Sequence, residues 1–261
     1  MNLDPQFVAE SDASIGRMLA LLLVGGLGTR LRSAVPSKPK PLAPIGQGPF
    51  LELLVLQLRS QGIRRLVMCT GHMAGQIREY FGDGRKWDVS IEYSEETRPL
   101  GTGGAVKLAA PFLGGGSDFL VLNGDSFVEI DFGRFVEFHR GHGGIVSIAT
   151  RRVPDSSRYG TVRVDASNQV VSFLEKTGVQ TPGLVNAGAY LFRRNVLDFI
   201  PDGPTSLEKD VFPGLLERRV FAAEQSGMFI DIGTPEDYAQ AQALSRAFRQ
   251  LALRGCEAQN C

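Results

Sequence analysis

The stretch Val24-Gly25-Gly26-Leu27-Gly28-Thr29-Arg30-Leu31-Arg32, followed by Pro39-Lys40-Pro41, gathers the residue types that receive a polyphosphate. Backbone N–H groups wrap phosphate oxygens closely only where Cβ atoms are missing and positive φ is open. Gly25, Gly26 and Gly28 meet that need, with Thr29 beside them. Arg30 offers a planar fork of donors for bridging oxygens, and Lys40 a point charge on a flexible stem. Together they could hold a triphosphate and offset charge as pyrophosphate leaves. Two better-known glycine loops fit less well. A Walker loop needs Gly-Lys-Ser/Thr, which does not occur, and a dinucleotide fingerprint needs a third glycine where Leu31 stands.

Two aspartates complete the chemistry. Asp125 follows the apolar run Phe119 to Leu122 through Asn123-Gly124, and Asp231 follows Met228-Phe229-Ile230. In open α/β sheets, ligands bind beyond the carboxyl ends of strands. Two hard oxygen donors there, near a triphosphate, form a magnesium (Mg2+) site whose shell is filled by water and phosphate oxygens. Each aspartate could equally start a turn or cap a helix. His72, His139 and His142 show neither triad nor metal spacing.

The elements that must position these residues follow from periodicity. Apolar runs at Leu19 to Val24, Leu66 to Thr70, Val89 to Tyr93, Phe119 to Asn123 and Ile145 to Thr150 read as strands. Between them, Phe50 to Gln61, Ala74 to Phe81, Gly104 to Ala110 and Phe132 to Arg140 show helical spacing. Such alternation builds parallel βαβ units with helices on both sheet faces, an α/β class. From Tyr159 the pattern changes to short strands at Thr161 to Val164, Val170 to Leu174 and Val185 to Phe192, where antiparallel pairing is expected. A helical region from Ser206 to Leu216 and a final helix from Pro235 to about Phe248 follow, the latter capped by Thr234.

A chain of 261 residues, 43% hydrophobic, can bury one large core. We expect a disordered extension over 1–17, one domain over 18–248 with a small appended lobe, and a tail over 249–261. With 28 basic and 28 acidic residues spread along the chain, there is no electrostatic footprint for nucleic acid. No apolar run is long enough to span a membrane, and the opening residues lack the apolar core of a signal peptide. Three cysteines without paired spacing, Cys69, Cys256 and Cys261, fit a reduced, cytoplasmic protein. Self-association into a homo-oligomer is compatible with the sequence.

The loop signature resembles that of the sugar nucleotidyltransferases, or NDP-sugar pyrophosphorylases. Further segments match in the family's order: Pro99-Leu100-Gly101-Thr102-Gly103-Gly104-Ala105, Asn123-Gly124-Asp125, Ser157-Arg158-Tyr159-Gly160, Glu175-Lys176, Asn186-Ala187-Gly188, and Asp231-Ile232-Gly233-Thr234-Pro235-Glu236-Asp237-Tyr238. The match runs from about Met18 to Ala247. It implies a Rossmann-like, mixed, mainly parallel sheet flanked by helices, the nucleotide-diphospho-sugar transferase fold, with a small antiparallel sugar-binding lobe. It implies a reaction in which a sugar 1-phosphate attacks a nucleoside triphosphate and releases pyrophosphate.

By the same resemblance, Arg30 contacts the triphosphate and Lys40 neutralises phosphates at the reacting centre. Gly101, Thr102 and Gly103 lie against the base, although their glycine content could equally reflect tight helix packing. Glu175 takes sugar hydroxyls and Lys176 the sugar phosphate, with Tyr159, Gly160 and Asn186 lining that pocket. Asp125 and Asp231 hold magnesium, the role of Asp231 resting on the resemblance. Among family members the motifs are most similar to short guanylyltransferases acting on D-glycero-D-manno-heptose 1-phosphate, which implies GTP as the nucleotide and supply of a surface polysaccharide. Mannose-, glucose- and N-acetylmuramate-1-phosphate enzymes are also similar. Two other classes compete: a catalytically silent NDP-sugar-binding subunit, and a glycosyltransferase of a related fold. The latter usually shows Asp-x-Asp, which Asp125-Ser126-Phe127 is not.

Overall fold

The structure is a computed structural model that describes residues 15–115, 118–174, 178 and 180–254. Its centre is four parallel strands: β1 (Leu19–Leu23), β2 (Arg65–Thr70), β3 (Ser90–Glu95) and, on the other side of β1, β4 (Asp118–Asn123). Period-two alternation sorts their side chains onto two buried faces. Ala20, Leu22, Leu66, Met68, Leu120 and Leu122 enter one core. Leu19, Leu21, Val67, Cys69, Phe119 and Val121 enter the other. Both faces are covered by helical segments, which is why these strands read as unbroken apolar runs. Burial and then the Glu96 carboxylate push the Cys69 thiol up to about 12, so it stays protonated inside β2.

The connecting helices are α1 (Phe50–Ser60), α2 (Ala74–Phe81), α3 (Gly101–Leu108) and α4 (Phe132–His142). α4 is capped by Asp131, whose carboxylate accepts from Arg134 N–H, and stops at Gly143 in the left-handed region. Between β4 and α4 lies a short strand, β5 (Ser126–Val128). After α4 come β6 (Val146–Val153), β7 (Thr161–Val164), β8 (Val170–Leu174) and the long β9 (Gly183–Arg193).

β9 runs antiparallel to β4 through Ala189–Arg193 and to β6 along its other edge. The register slips between Asn186 and Tyr190, and the bulge centres on Gly188, whose φ is 76°. A Cβ there would lie 3.0 Å from Asn123 Nδ2 and 3.2 Å from Ser126 Cβ, so a side chain would push into the end of β4. Below the bulge, β9 meets β7 at Val185, and β7 pairs antiparallel with β8. The antiparallel lobe is therefore an extension of the main sheet, in the order β8-β7-β9-β4-β1-β2-β3.

Some expectations need correction. A strand, β10 (Val220–Gln225), lies parallel to β6 and was not foreseen. Residues 206–216 do not form one regular helix: a π turn spans Leu207–Val211, followed by short helical turns. The strand β11 (Phe229–Asp231) is followed by two helices, α5 (Pro235–Ala243) and α6 (Ser245–Leu253), where one helix was expected. α3 begins at Gly101 instead of Gly104. The domain limits also widen. Ile15 is buried in the core, so the extension over 1–17 is not wholly outside it. Ala252 is buried and Arg249 pairs with Glu52 at 3.0 Å, so the expected tail from 249 begins inside α6. The rest of that extension and tail, with Cys256 and Cys261, lies outside the described residues. No helix among the described residues is long and apolar enough to cross a membrane.

One buried group makes stability depend on pH. His139 on α4 is fully buried, with Nδ1 2.8 Å from Ser147 Oγ and no partner at Nε2. Burial lowers its pKa from 6.5 to about 4, opposed by Asp118 and assisted by Arg193 and Arg140. The folded state thus takes up its proton later than the unfolded chain does. The contribution of neutral His139 to stability is complete above about pH 6.5 and is lost as pH falls toward 4. In urea unfolding across this window, the stability advantage of wild type over His139→Gln should shrink with a limiting slope of about 1.4 kcal/mol per pH unit. A pH-independent difference would contradict this assignment.

Candidate active site

The glycine loop leaves β1 between the ends of its two neighbours. Val24 N–H donates to the Cys69 carbonyl (3.0 Å) and Gly124 N–H to the Leu23 carbonyl (2.9 Å), so the tips of β1, β2 and β4 are pinned together. A Cβ on Gly124 would lie 2.5 Å from Val24 Cγ1. Gly28 adopts φ 59°, and a Cβ there would meet Lys40 Cβ at 2.9 Å, which sets the loop against the Lys40 segment. Gly26 faces open space. Thr29 and Arg30 lie in a 3-10 turn anchored by buried Leu31. Lys40 opens a second such turn between Pro39 and Pro41, anchored by buried Leu42.

These segments surround a hollow of about 180 Å³ whose walls include Gly26, Gly28, Thr29, Arg30, Lys40 and Asp125. Within it, Lys40 Nζ lies 2.6 Å from Asp125 Oδ2 and 3.7 Å from Asp231 Oδ1. Asp231 comes from the far end of the chain, brought by a two-strand ladder in which Ser126, Phe127 and Val128 of β5 face Asp231, Ile230 and Phe229 of β11. Ile232 N–H then donates to the Asp125 carbonyl at 2.9 Å. Burial and then repulsion from Asp125 raise the Asp231 pKa, while Lys40, the Gly233 amide and Arg30 oppose the rise. Asp231 Oδ1 is buried without a hydrogen-bond partner. Two mutually repelling carboxylates, one with an orphaned oxygen, fit a hard divalent cation. Among the described residues no group of three or more such ligands occurs, so the rest of a cation's shell would be phosphate oxygen or water.

A larger cleft of about 430 Å³ adjoins this hollow at Arg30 and Gly233. Tyr159, Gly160 and Asn186 line it, together with Arg158, Glu208 and Asp237, which the sequence reading did not single out. Burial and then Asp237 and Asp231 raise the Tyr159 pKa, keeping the phenol neutral. A Cβ on Gly160 would make only an ordinary 3.6 Å contact with the Leu174 carbonyl, so packing does not demand glycine there. Asn186 stabilises the β9 bulge: its Oδ1 accepts from Gly188 N–H (3.0 Å) and its Nδ2 donates to the Tyr190 hydroxyl (2.8 Å). Arg158 donates to both oxygens of Asp237 at 2.9 and 2.8 Å, tying the turn before β7 to the start of α5. Glu175 and Lys176 lie outside the described residues.

Gly101, Thr102 and Gly103 line neither hollow. The N–H groups of Gly103 and Gly104 donate to the Thr205 carbonyl, at 2.8 and 3.2 Å. A Cβ on Gly101 would lie 2.6 Å from the same oxygen. Thr102 Oγ1 accepts from Leu207 N–H and donates to Glu208. For Gly101 and Gly103 the tight-packing alternative therefore describes the contacts observed.

A different residue of that region reaches the glycine loop. Glu96, at the end of β3, accepts Leu100 N–H on Oε2 (3.0 Å), and its Oε1 stands 3.0 Å from where a Gly25 Cβ would be and 2.6 Å from a Gly71 Cβ. Two glycines thus make room for one carboxylate, whose pKa burial raises against the Leu100 hydrogen bond. The acid in Glu95-Glu96 just past a strand was the available signal; its approach to Gly25 and Gly71 depends on neighbouring strands and was not.

With this geometry in place, comparison with known proteins is specific. Residues 19–247 match the nucleotidyl transferase family. A mannose-1-phosphate guanylyltransferase of Mycobacterium tuberculosis is 38% identical over 228 residues, covering 86% of this chain and 63% of that protein. The chain thus spans less than two thirds of the length of that relative. A D-glycero-alpha-D-manno-heptose 1-phosphate guanylyltransferase of Campylobacter jejuni is 38% identical over 222 residues, covering 85% of this chain and 97% of that protein. The crystal structure of HddC from Yersinia pseudotuberculosis complexed with GMP-PN superposes with a TM-score of 0.78 at 34% identity, over 87% of this chain and 98% of that one. The glycine loop, the lysine between two aspartates and the adjoining cleft are therefore those of a protein that belongs to the nucleotidyl transferase family.

Proposed function

We propose that this protein is a sugar-1-phosphate guanylyltransferase that joins GTP to D-glycero-D-manno-heptose 1-phosphate and releases pyrophosphate. The observation that carries the reaction class is Lys40, on the wall of the glycine-loop hollow, held 2.6 Å from Asp125 and 3.7 Å from Asp231. Mannose 1-phosphate is the second reading, favoured by the 38% identity to the Mycobacterium tuberculosis enzyme. The two sugars share a manno-configured ring and differ by one carbon at its exocyclic end. The compartment for such a reaction is the cytoplasm, where the proposed product would supply surface polysaccharide assembly.

In this mechanism the sugar phosphate supplies its own nucleophile, because it is anionic near neutral pH and needs no strong base. A phosphate oxygen forms a bond to the α-phosphorus of GTP; the bond from that phosphorus to the bridging oxygen breaks, and its electron pair leaves with pyrophosphate. Alignment and charge stabilisation supply the catalysis. Gly26 and Gly28 let the loop approach the phosphates, and Arg30 forks onto the leaving group from the boundary of the two hollows. Lys40 neutralises the charge that develops on the transferred phosphoryl group. Asp125 and Asp231 would hold magnesium, which supplies further neutralisation of phosphate charge when bound. Lys176 would hold the sugar phosphate, as the family resemblance implies.

The nucleotide preference rests on Glu96. A carboxylate is an acceptor pair, and guanine is the common base that presents two adjacent donors, N1–H and N2–H2, on its pairing edge. Glu96 lies beside Gly25 at the start of the phosphate loop, on the side of β3.

Pyrophosphate release should be measured with magnesium over five nucleoside triphosphates against heptose, mannose, glucose and N-acetylmuramate 1-phosphates. Turnover is expected with GTP, fastest with the heptose phosphate; a different pair would move the substrate assignment, and no release from a folded, nucleotide-binding sample would favour the silent subunit. Glu96→Gln should lower kcat/KM for GTP by about 10- to 100-fold, corresponding to roughly 1–3 kcal/mol of base discrimination, with little change for ATP. Equal losses for both nucleotides would remove Glu96 from base recognition. Asp125→Asn should keep its thermal transition and lose turnover by about 100-fold or more; normal magnesium-dependent activity would exclude it from the metal pair.

A further inference from the structure

The larger cleft contains a carboxylate used neither by the phosphate loop nor by the aspartate pair. Glu208 stands in the π turn Leu207–Val211, whose start is fixed from both sides: Ser206 Oγ accepts Lys209 N–H (3.2 Å), and Ser206 N–H donates to Asp210 Oδ2 (2.7 Å). Its side chain reaches the cleft wall beside Asn186 and is only partly buried. Three hydroxyls converge on it. Oε2 accepts from Thr102 Oγ1 (2.9 Å) and Ser206 Oγ (3.0 Å), and Oε1 accepts from the Tyr190 hydroxyl (3.2 Å).

The direction of these bonds is fixed by what lies behind each hydroxyl. Thr102 Oγ1 already accepts from Leu207 N–H (2.8 Å), and the Tyr190 oxygen already accepts from Asn186 Nδ2 (2.8 Å). Each hydroxyl therefore turns its single proton to Glu208. Tyr190 is fully buried, and burial holds its pKa well above the ordinary value, so that proton is not lost. An ionised carboxylate accepts at about four lone-pair positions. Among the described residues three are filled, both of those on Oε2 among them, which leaves one on Oε1. The neighbours anchor the group in α3, the π turn and β9, so it cannot rotate away.

We propose that Glu208 is a specificity-determining residue that accepts a hydrogen bond from one hydroxyl of the sugar ring through its remaining Oε1 position. This rests on the sugar 1-phosphate reading of the cleft and deepens it. A fixed acceptor beside the bulge matches a polyhydroxylated ligand, and a sugar lacking the matching hydroxyl would leave that acceptor unpaired in a desolvated cleft.

The test uses the full chain with saturating GTP and magnesium. The faster of mannose and heptose 1-phosphate is compared with its 2-, 3- and 4-deoxy forms, in wild type and in Glu208→Gln. In wild type, kcat/KM should fall about tenfold or more for one deoxy form. In Glu208→Gln, the parent substrate should lose a similar factor, that deoxy form should lose little, and KM for GTP should stay within about twofold. If Glu208→Gln lacks a cooperative thermal transition, Glu208→Asp replaces it, retaining the charge but withdrawing it by one methylene, with the same loss of discrimination expected. Discrimination retained in the variant, equal losses on every sugar, or a wild type indifferent to all deoxy forms would overturn the proposal and leave the guanylyltransferase reading standing. No pyrophosphate release from any sugar 1-phosphate by wild type would overturn both.

Discussion

Everything at the candidate site is arranged around one ammonium group between two carboxylates. Lys40 is almost fully enclosed, with its side chain 9% exposed, while Asp125 at 35% and Asp231 at 30% keep a path to solvent. A buried cation is tolerated only when paired, and here the pairing is with more negative charge than one lysine can balance. Burial, and after it Asp125, raise the pKa of Asp231, whose Oδ1 is buried without a hydrogen-bond partner. Lys40 and Arg30 oppose the two carboxylates, the orphaned oxygen of Asp231 suits a further cation, and the nearby glycine loop suits phosphate. The two needs are complementary.

The fold meets this constraint with rigid parts. The parallel strands fix the tips of β1 and β4, short turns anchored by Leu31 and Leu42 present Arg30 and Lys40, and the β5–β11 ladder carries Asp231 to Asp125. The larger cleft is built differently, from a strand that must bulge at Gly188 to serve β4, β6 and β7. Asn186 and Tyr190 hold that bulge, and through Glu208 the same hydrogen bonds reach the first turn of α3.

Much of this framework was legible in the sequence because it rests on local periodicity. The strands expected at Thr161 to Val164 and Val170 to Leu174 are the strands found, and the helix at Ala74 to Phe81 has the expected limits. β10 escaped because Val220–Gln225 follows irregular turns and pairs with β6, more than 60 residues earlier, which no local pattern encodes. The glycine loop, Lys40 and Asp125 were singled out by residue type and Asp231 with the help of the family resemblance, and the structure brings the lysine and both aspartates together. Glu96 and Glu208 were not, since an acidic residue in sequence looks like a solvated one until its neighbours are known. At Gly101 and Gly103 glycine marks close approach, and in the structure Thr205 is what approaches.

The β5–β11 ladder also bears on how the site comes into being. Lys40 and Asp125 are 85 residues apart, and their pair is electrically neutral. Asp231 enters only when β11 docks on β5, a second long-range closure of the chain. It also adds a second carboxylate to a pair already satisfied, and docking therefore runs uphill electrostatically. What drives it is oil: Phe127, Ile230 and Ile232 are all buried at the ladder, each such side chain contributing roughly 1.5–3 kcal/mol. Apolar burial at the ladder thus holds Asp231 beside Lys40 and Asp125, and the three groups meet only once the two distant parts of the chain have docked.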